Sequence, residues 1–241
     1  MASLWDSLKR QEKINYKTRL EDAIKRWRQF TSPVAQNVNG GTLHDPIIGH
    51  CLRRTAPTRK NLGRTTDEWL EDLKEDLKFG LSRLHKTKDP LVIEEKYQDL
   101  KQKFPKSEPY VLTHGDLNFS NIIVKDNKIE AIIDWEHAEY YPWWVERYLA
   151  IRWGCHQSDQ VFNSASFWKN VGQQMDKDTF VREVFRKVYP VTEAWEEGMF
   201  NKHSNTRPKW LIPRFCDCKR YLGKFDWRDI GNPSEHKLPI L

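Results

Sequence analysis

The chain has 241 residues, 38% of them apolar, and its eleven Trp, eleven Phe and eight Tyr supply enough burial for one sizeable domain or two small ones. Forty Lys and Arg stand against thirty-four Asp and Glu, interleaved along the chain without a recognition motif. The resulting +6 charge argues for mild attraction to anions such as nucleotides, while the interleaved signs and missing motif argue against specific nucleic-acid binding.

From about Leu4 to Phe30 the pattern predicts one or two helices, with Tyr16, Leu20, Ile24 and Trp27 at helical spacing. Thr31-Ser32-Pro33 ends that segment, and a loop runs from Val38 through Gly40-Gly41 and Asp45-Pro46 to Gly49. Thr65 to Lys86 reads as a helix: Thr65 and Glu68 form a capping box, and Trp69, Leu73, Leu77, Leu81 and Leu84 line one face. Asp89-Pro90 starts another helix, turning Ile93, Tyr97 and Leu100 inward.

The period then changes. Tyr110–Thr113, Asn121–Val124 and Ile129–Ile133 are short runs rich in β-branched residues, and Asp126-Asn127 between the last two suits a tight hairpin. Beyond Pro142 helix returns, with Trp144, Tyr148 and Ile151 on one face, and further helices are predicted near Phe162–Val171, Thr179–Val188 and Cys216–Leu222. Cys51, Cys155, Cys216 and Cys218 make neither a disulfide framework nor a zinc pattern. No apolar run reaches membrane-spanning length and the N-terminus is charged, so a cytoplasmic protein with no membrane partner is expected.

Chemistry concentrates in Thr113-His-Gly-Asp-Leu-Asn-Phe-Ser-Asn121 and Ala131-Ile-Ile-Asp134. A tight loop introduced by His114-Gly115 carries Asp116. Asn121 closes it, and a hairpin folds the strand end at Asp134 back beside both. Gathered oxygen ligands suit phosphoryl transfer, which depends on positioning and charge neutralisation. In that reading Asp116 orients or deprotonates an attacking hydroxyl, while Asn121 and Asp134 hold Mg²⁺.

The stretches His114–Asn121 and Ile132-Ile-Asp-Trp-Glu136 resemble the motifs of the aminoglycoside phosphotransferase and choline kinase-like family, related to protein kinases. The continuation through Pro142 and Glu146 is similar to the family's fungal-type branch, and the resemblance spans about Trp5 to Trp153. It implies an α+β, mostly helical fold: a protein-kinase-like C-terminal lobe with a small β-hairpin. It also implies a small-molecule substrate, ATP and Mg²⁺. Asp116 becomes the catalytic base, Asn121 and Asp134 the metal ligands, His114 and Gly115 loop supports, and Trp135 and Glu136 pocket residues. Glu139 stands where relatives of this branch commonly carry glycine.

A single domain over 1–241 is expected, with N-terminal helices at 1–30, a catalytic core at 65–153 and a helical extension at 154–241. No strand–Gly-rich turn–strand–Lys pattern lies upstream of His114, so the N-terminal lobe of the family is expected to be absent. That absence weakens the expectation of ATP binding and calls for a protein partner or other cover on the exposed face. Three readings stay open: an ATP- and Mg²⁺-dependent kinase of a small-molecule hydroxyl, a one-lobed enzyme using Asp116 for isomerisation, cyclisation or elimination, and a non-catalytic binding remnant.

Overall fold

Residues 1, 4–45, 61–153, 161–162, 165–172 and 175–203 are described by the structure, a computed structural model. The four cysteines, the 46–49 part of the glycine-rich loop and the helix expected at Cys216–Leu222 lie outside them.

A short 3-10 turn at Trp5–Ser7 leads into α1, Arg10–Trp27, whose Tyr16, Leu20, Ile24 and Trp27 are all buried. Asn170 donates to Glu21 at 3.0 Å, tying this helix to α6 further along the chain (Ala165–Val171). The single helix expected over Thr65–Lys86 is broken into α2, Thr66–Asp72, and α3, Lys74–Leu84. Leu73 between them has φ −94° and ψ 1°, a local departure from helix that leaves the apolar face continuous. Trp69, Leu73, Leu77 and Leu81 are buried along it. The capping box at the start is formed, Thr65 Oγ1 accepting from Glu68 N and Glu68 Oε2 accepting from Thr65 N at 3.1 Å. Asp89 Oδ1 caps α4, Pro90–Lys103, by accepting from Leu91 N at 2.9 Å.

The strands exceed the expected hairpin. A four-stranded antiparallel sheet is built in the order β1-β5-β8-β2, from Thr31–Ser32 (β1), Gln36–Asn37 (β2), Tyr110–Thr113 (β5) and Glu139–Pro142 (β8). Leu43–His44 (β3) pairs with Asn61–Leu62 (β4). The hairpin itself joins Ile122–Lys125 (β6) to Lys128–Ile132 (β7). Its turn residues Asp126 and Asn127 both take positive φ, 46° and 59°, the backbone of the tight turn the sequence predicts. Arg19 of α1 donates to the carbonyl of Asn127 and braces that turn.

After the sheet, α5 spans Val145–Trp153 with Tyr148 buried, and Trp144 just before it is buried too. The last described stretch runs through α7, Lys177–Phe180, a π-helical turn at Val181–Phe185 and α8, Arg186–His203. Sequence reading stopped this helix near Val188, before Pro190. The structure carries it past the proline, because Val191 and Trp195 are buried against α3 and repay the lost backbone bond. One cluster of buried side chains runs from Trp5 to Trp195. The architecture is α+β and mostly helical, as the sequence implies.

Candidate active site

β5 delivers the chain into the loop at Thr113, and the next residues are held from both sides. His114 Nδ1 accepts from Asp116 N at 3.2 Å, which requires the other ring nitrogen to carry the proton. Nε2 then donates to the carbonyl of Ile133 at 2.9 Å, just before Asp134. The fully buried imidazole packs on Trp135 at 4.6 Å and on Trp27 at 6.5 Å between ring centroids. His114 thus bridges the loop to the end of the hairpin.

Gly115 has φ +80°, and a Cβ there would stand 2.5 Å from the carbonyl oxygen of His137. Only glycine meets both conditions. The loop is therefore pressed against the turn that follows Asp134.

Asp116 is half-buried, and two amides anchor its carbonyl: Asn118 Nδ2 at 3.1 Å and Asn121 Nδ2 at 2.9 Å. The same Asn121 nitrogen lies 3.2 Å from Asp116 Oδ2. Asn121 spends its amide N–H groups on Asp116, which leaves its side-chain oxygen as the atom available to a cation. Ile133 N donates to the backbone carbonyl of Asn121 at 2.9 Å, so Asp134 leaves the hairpin directly beside this pair. Asp134 is exposed and left-handed, with φ 67°, and its side chain caps nothing in the turn it precedes. A non-glycine residue in that conformation marks a site where local strain is tolerated for position.

Asn121 and Asp134 would offer one amide and one carboxylate oxygen to Mg²⁺, hard donors of the kind it takes, with the remaining positions left for water and phosphate oxygens. Among the described residues no group of three or more His, Cys, Asp or Glu side chains could hold a metal ion. Trp135 is half-buried, its indole N–H donating to Ile132 O at 2.7 Å and its ring edge-on to Trp27. Glu136 is exposed, 2.9 Å from His137 Nε2.

One residue of the site carries no role in the sequence reading. Glu146 of α5 is 1% exposed and lies beneath the loop, accepting from His114 N at 2.6 Å and from Gly115 N at 3.3 Å. Burial pushes its carboxyl above the ordinary range, opposed by the backbone N–H groups of His114 and Gly115 and by Arg28. Arg28 is itself pulled down to about 10 by burial, with Glu146 acting the other way. The only sequence signal was its place at the end of the resembling stretch.

Glu139, at the position commonly glycine in relatives, lies in regular strand β8 and is not among the residues of positive φ. A side chain is accommodated there because three donors converge on its carboxylate: His44 N at 3.1 Å, His44 Nδ1 at 2.8 Å and the Tyr141 hydroxyl at 2.5 Å.

No curated protein and no solved structure matches the chain. The model of the phosphotransferase enzyme family matches residues 48–167, a stretch that contains the Asp116 loop, the hairpin and Glu146. Over residues 48–167, the segment that carries its candidate active site, the chain is similar to the phosphotransferase enzyme family.

Proposed function

We propose that the chain is an ATP- and Mg²⁺-dependent phosphotransferase that acts on a small-molecule hydroxyl. The observation that carries this reading is the hold of Asn121 on Asp116, with the Asn121 backbone tied to the residue before Asp134. The Asn121 side chain reaches the Asp116 carboxylate at 3.2 Å, and its backbone accepts the N–H of the residue before Asp134. In this reading Asp116 orients an attacking hydroxyl and takes its proton as the new P–O bond forms and the bond from the transferred phosphorus to ADP breaks. Asn121 keeps that carboxylate in one orientation. Bound Mg²⁺ would neutralise charge on the transferred phosphoryl group, held by Asn121 and Asp134.

The hairpin supplies a second feature that favours a nucleotide. Ile123 and Ala131 are paired and share a face, and Ile133 follows on that face by strand alternation. Ile123 and Ile133 are exposed at 44% and 42%, so an apolar strip runs up to the polar centre. A flat heteroaromatic base laid on it would cover apolar surface while its phosphates reach Asn121 and Asp134. The strip is two side chains wide, which matches a small ring system better than a protein lobe.

Calorimetry of ATP binding to the full chain, with and without Mg²⁺, is the test. Metal and ATP each bind more tightly in the presence of the other if this reading is right. Binding of ATP that is indifferent to Mg²⁺, or none at either condition, overturns it.

A further inference from the structure

β5 and β8 divide the surroundings of the catalytic loop into two sides. Thr113 and Glu139 are paired across them, as are Val111 and Tyr141, so these four side chains share one face of the sheet. His114 comes next in the chain and points the other way, to Ile133 at the end of the hairpin, which Asn121 and Asp134 flank. The Glu139 face is covered by Trp69 of α2, 6.3 Å from Tyr141, and by His44.

The carboxylate of Glu139 does more than fill that space. One oxygen takes His44 Nδ1, and the other takes His44 N and the Tyr141 hydroxyl. A buried carboxylate in this arrangement fixes the imidazole so that Nδ1 carries the hydrogen and Nε2 faces away. The His44 side chain is 42% exposed, against 6% for Glu139, and Nε2 has no partner among the described residues. An oriented imidazole with a free lone pair is a ready hydrogen-bond acceptor.

Its side of the loop gives it a purpose. In phosphoryl transfer the attacking and leaving oxygens stand roughly in line, so donor and acceptor molecules approach the reacting phosphorus from opposite sides. The hairpin lies on the His114 side of β5 and β8, and His44 lies against the opposite face, on the carboxylate paired with Thr113 at the entry to the Asp116 loop. We propose that His44 is a specificity residue of the acceptor site, its Nε2 accepting a hydrogen bond from a non-reacting hydroxyl or amine of the small molecule, and that Glu139 is the residue that positions it. The assignment of this side to the acceptor rests on the phosphotransferase reading.

The test reads His44 directly. The full chain, labelled with ¹⁵N in histidine, is titrated with glycerol, glucosamine and kanamycin in the absence of ATP, and His44 is assigned by its loss in His44→Gln. The free protein shows the Nδ1-protonated tautomer, and at least one probe shifts the Nε2 resonance. For that probe, His44→Ala weakens binding about tenfold, the effect of one lost hydrogen bond, and His44→Gln, which keeps an acceptor, recovers part of it. Glu139→Gln leaves the chain folded but mixes the His44 tautomers and weakens the same probe. No movement of Nε2 with any probe overturns the proposal, as does equal binding by wild type and His44→Ala. Formation of ADP with each probe is measured separately: an Nε2 response without ADP refutes phosphoryl transfer while leaving His44 as a binding residue.

Discussion

At the level of single residues, Asp116 and Asp134 differ in a way that sets up a discriminating pair of substitutions. Asp116 is half-buried and held by Asn121, whereas Asp134 is exposed on a left-handed turn. In a phosphotransferase both are needed, one for the nucleophile and one for charge neutralisation. Asp116→Asn and Asp134→Asn should each lower ADP formation by about a hundredfold or more. In an acid–base enzyme built on Asp116 alone, Asp134→Asn would be mild and turnover would persist in a chelator without nucleotide. Product profiling of cells expressing each variant distinguishes these outcomes. The spacing of Asp116, Asn121 and Asp134 was legible because the loop and hairpin that join them are local. Glu146 was not, since it meets His114 across 32 residues of sequence.

Among the elements, α3 and α8 approach each other closely at Gly80. A Cβ at Gly80 would stand 2.4 Å from the backbone carbonyl of Val191 and 3.2 Å from Trp195 Cβ. Backbone cannot yield as a side-chain tip can, so one methyl group must push the helices apart. Gly80→Ala should destabilise the chain by about 1–3 kcal/mol despite the better helix propensity of alanine. Urea denaturation measures the loss, and an unchanged midpoint would show that the helices slide to accept it. The apolar period of α3 foretold which side is buried. That glycine is required there follows from α8, whose passage through Pro190 is stabilised by tertiary contact.

For the molecule as a whole, Glu146 links the active-site loop to global stability. Burial raises its carboxyl above the ordinary value of 4.5, so the folded chain retains a proton that the unfolded chain has released. The stability this proton contributes is complete below about 4.5 and is lost as pH rises through the folded value. Relative to Glu146→Gln, wild type should therefore lose stability as pH climbs from 4.5, in thermal unfolding followed across that range. A difference that stays flat with pH would mean that Glu146 is ionised throughout, with Arg28 and the two backbone N–H groups offsetting its burial.

Local signals in the sequence determined most helices, the two caps at Thr65 and Asp89, the hairpin and the loop that ties Asn121 to Asp116. Each rests on residues within about one element of each other, where side-chain period, capping chemistry and turn preference act without the rest of the chain. Tertiary structure alone decided the strands at Thr31–Ser32, Gln36–Asn37, Leu43–His44 and Asn61–Leu62, which at two residues are too short to show alternation. It also decided the carboxylate beneath the loop and the His44–Glu139 pair, whose members lie 95 residues apart. A buried carboxylate is stable only where donors from distant segments converge on it, and that convergence is a property of the folded chain.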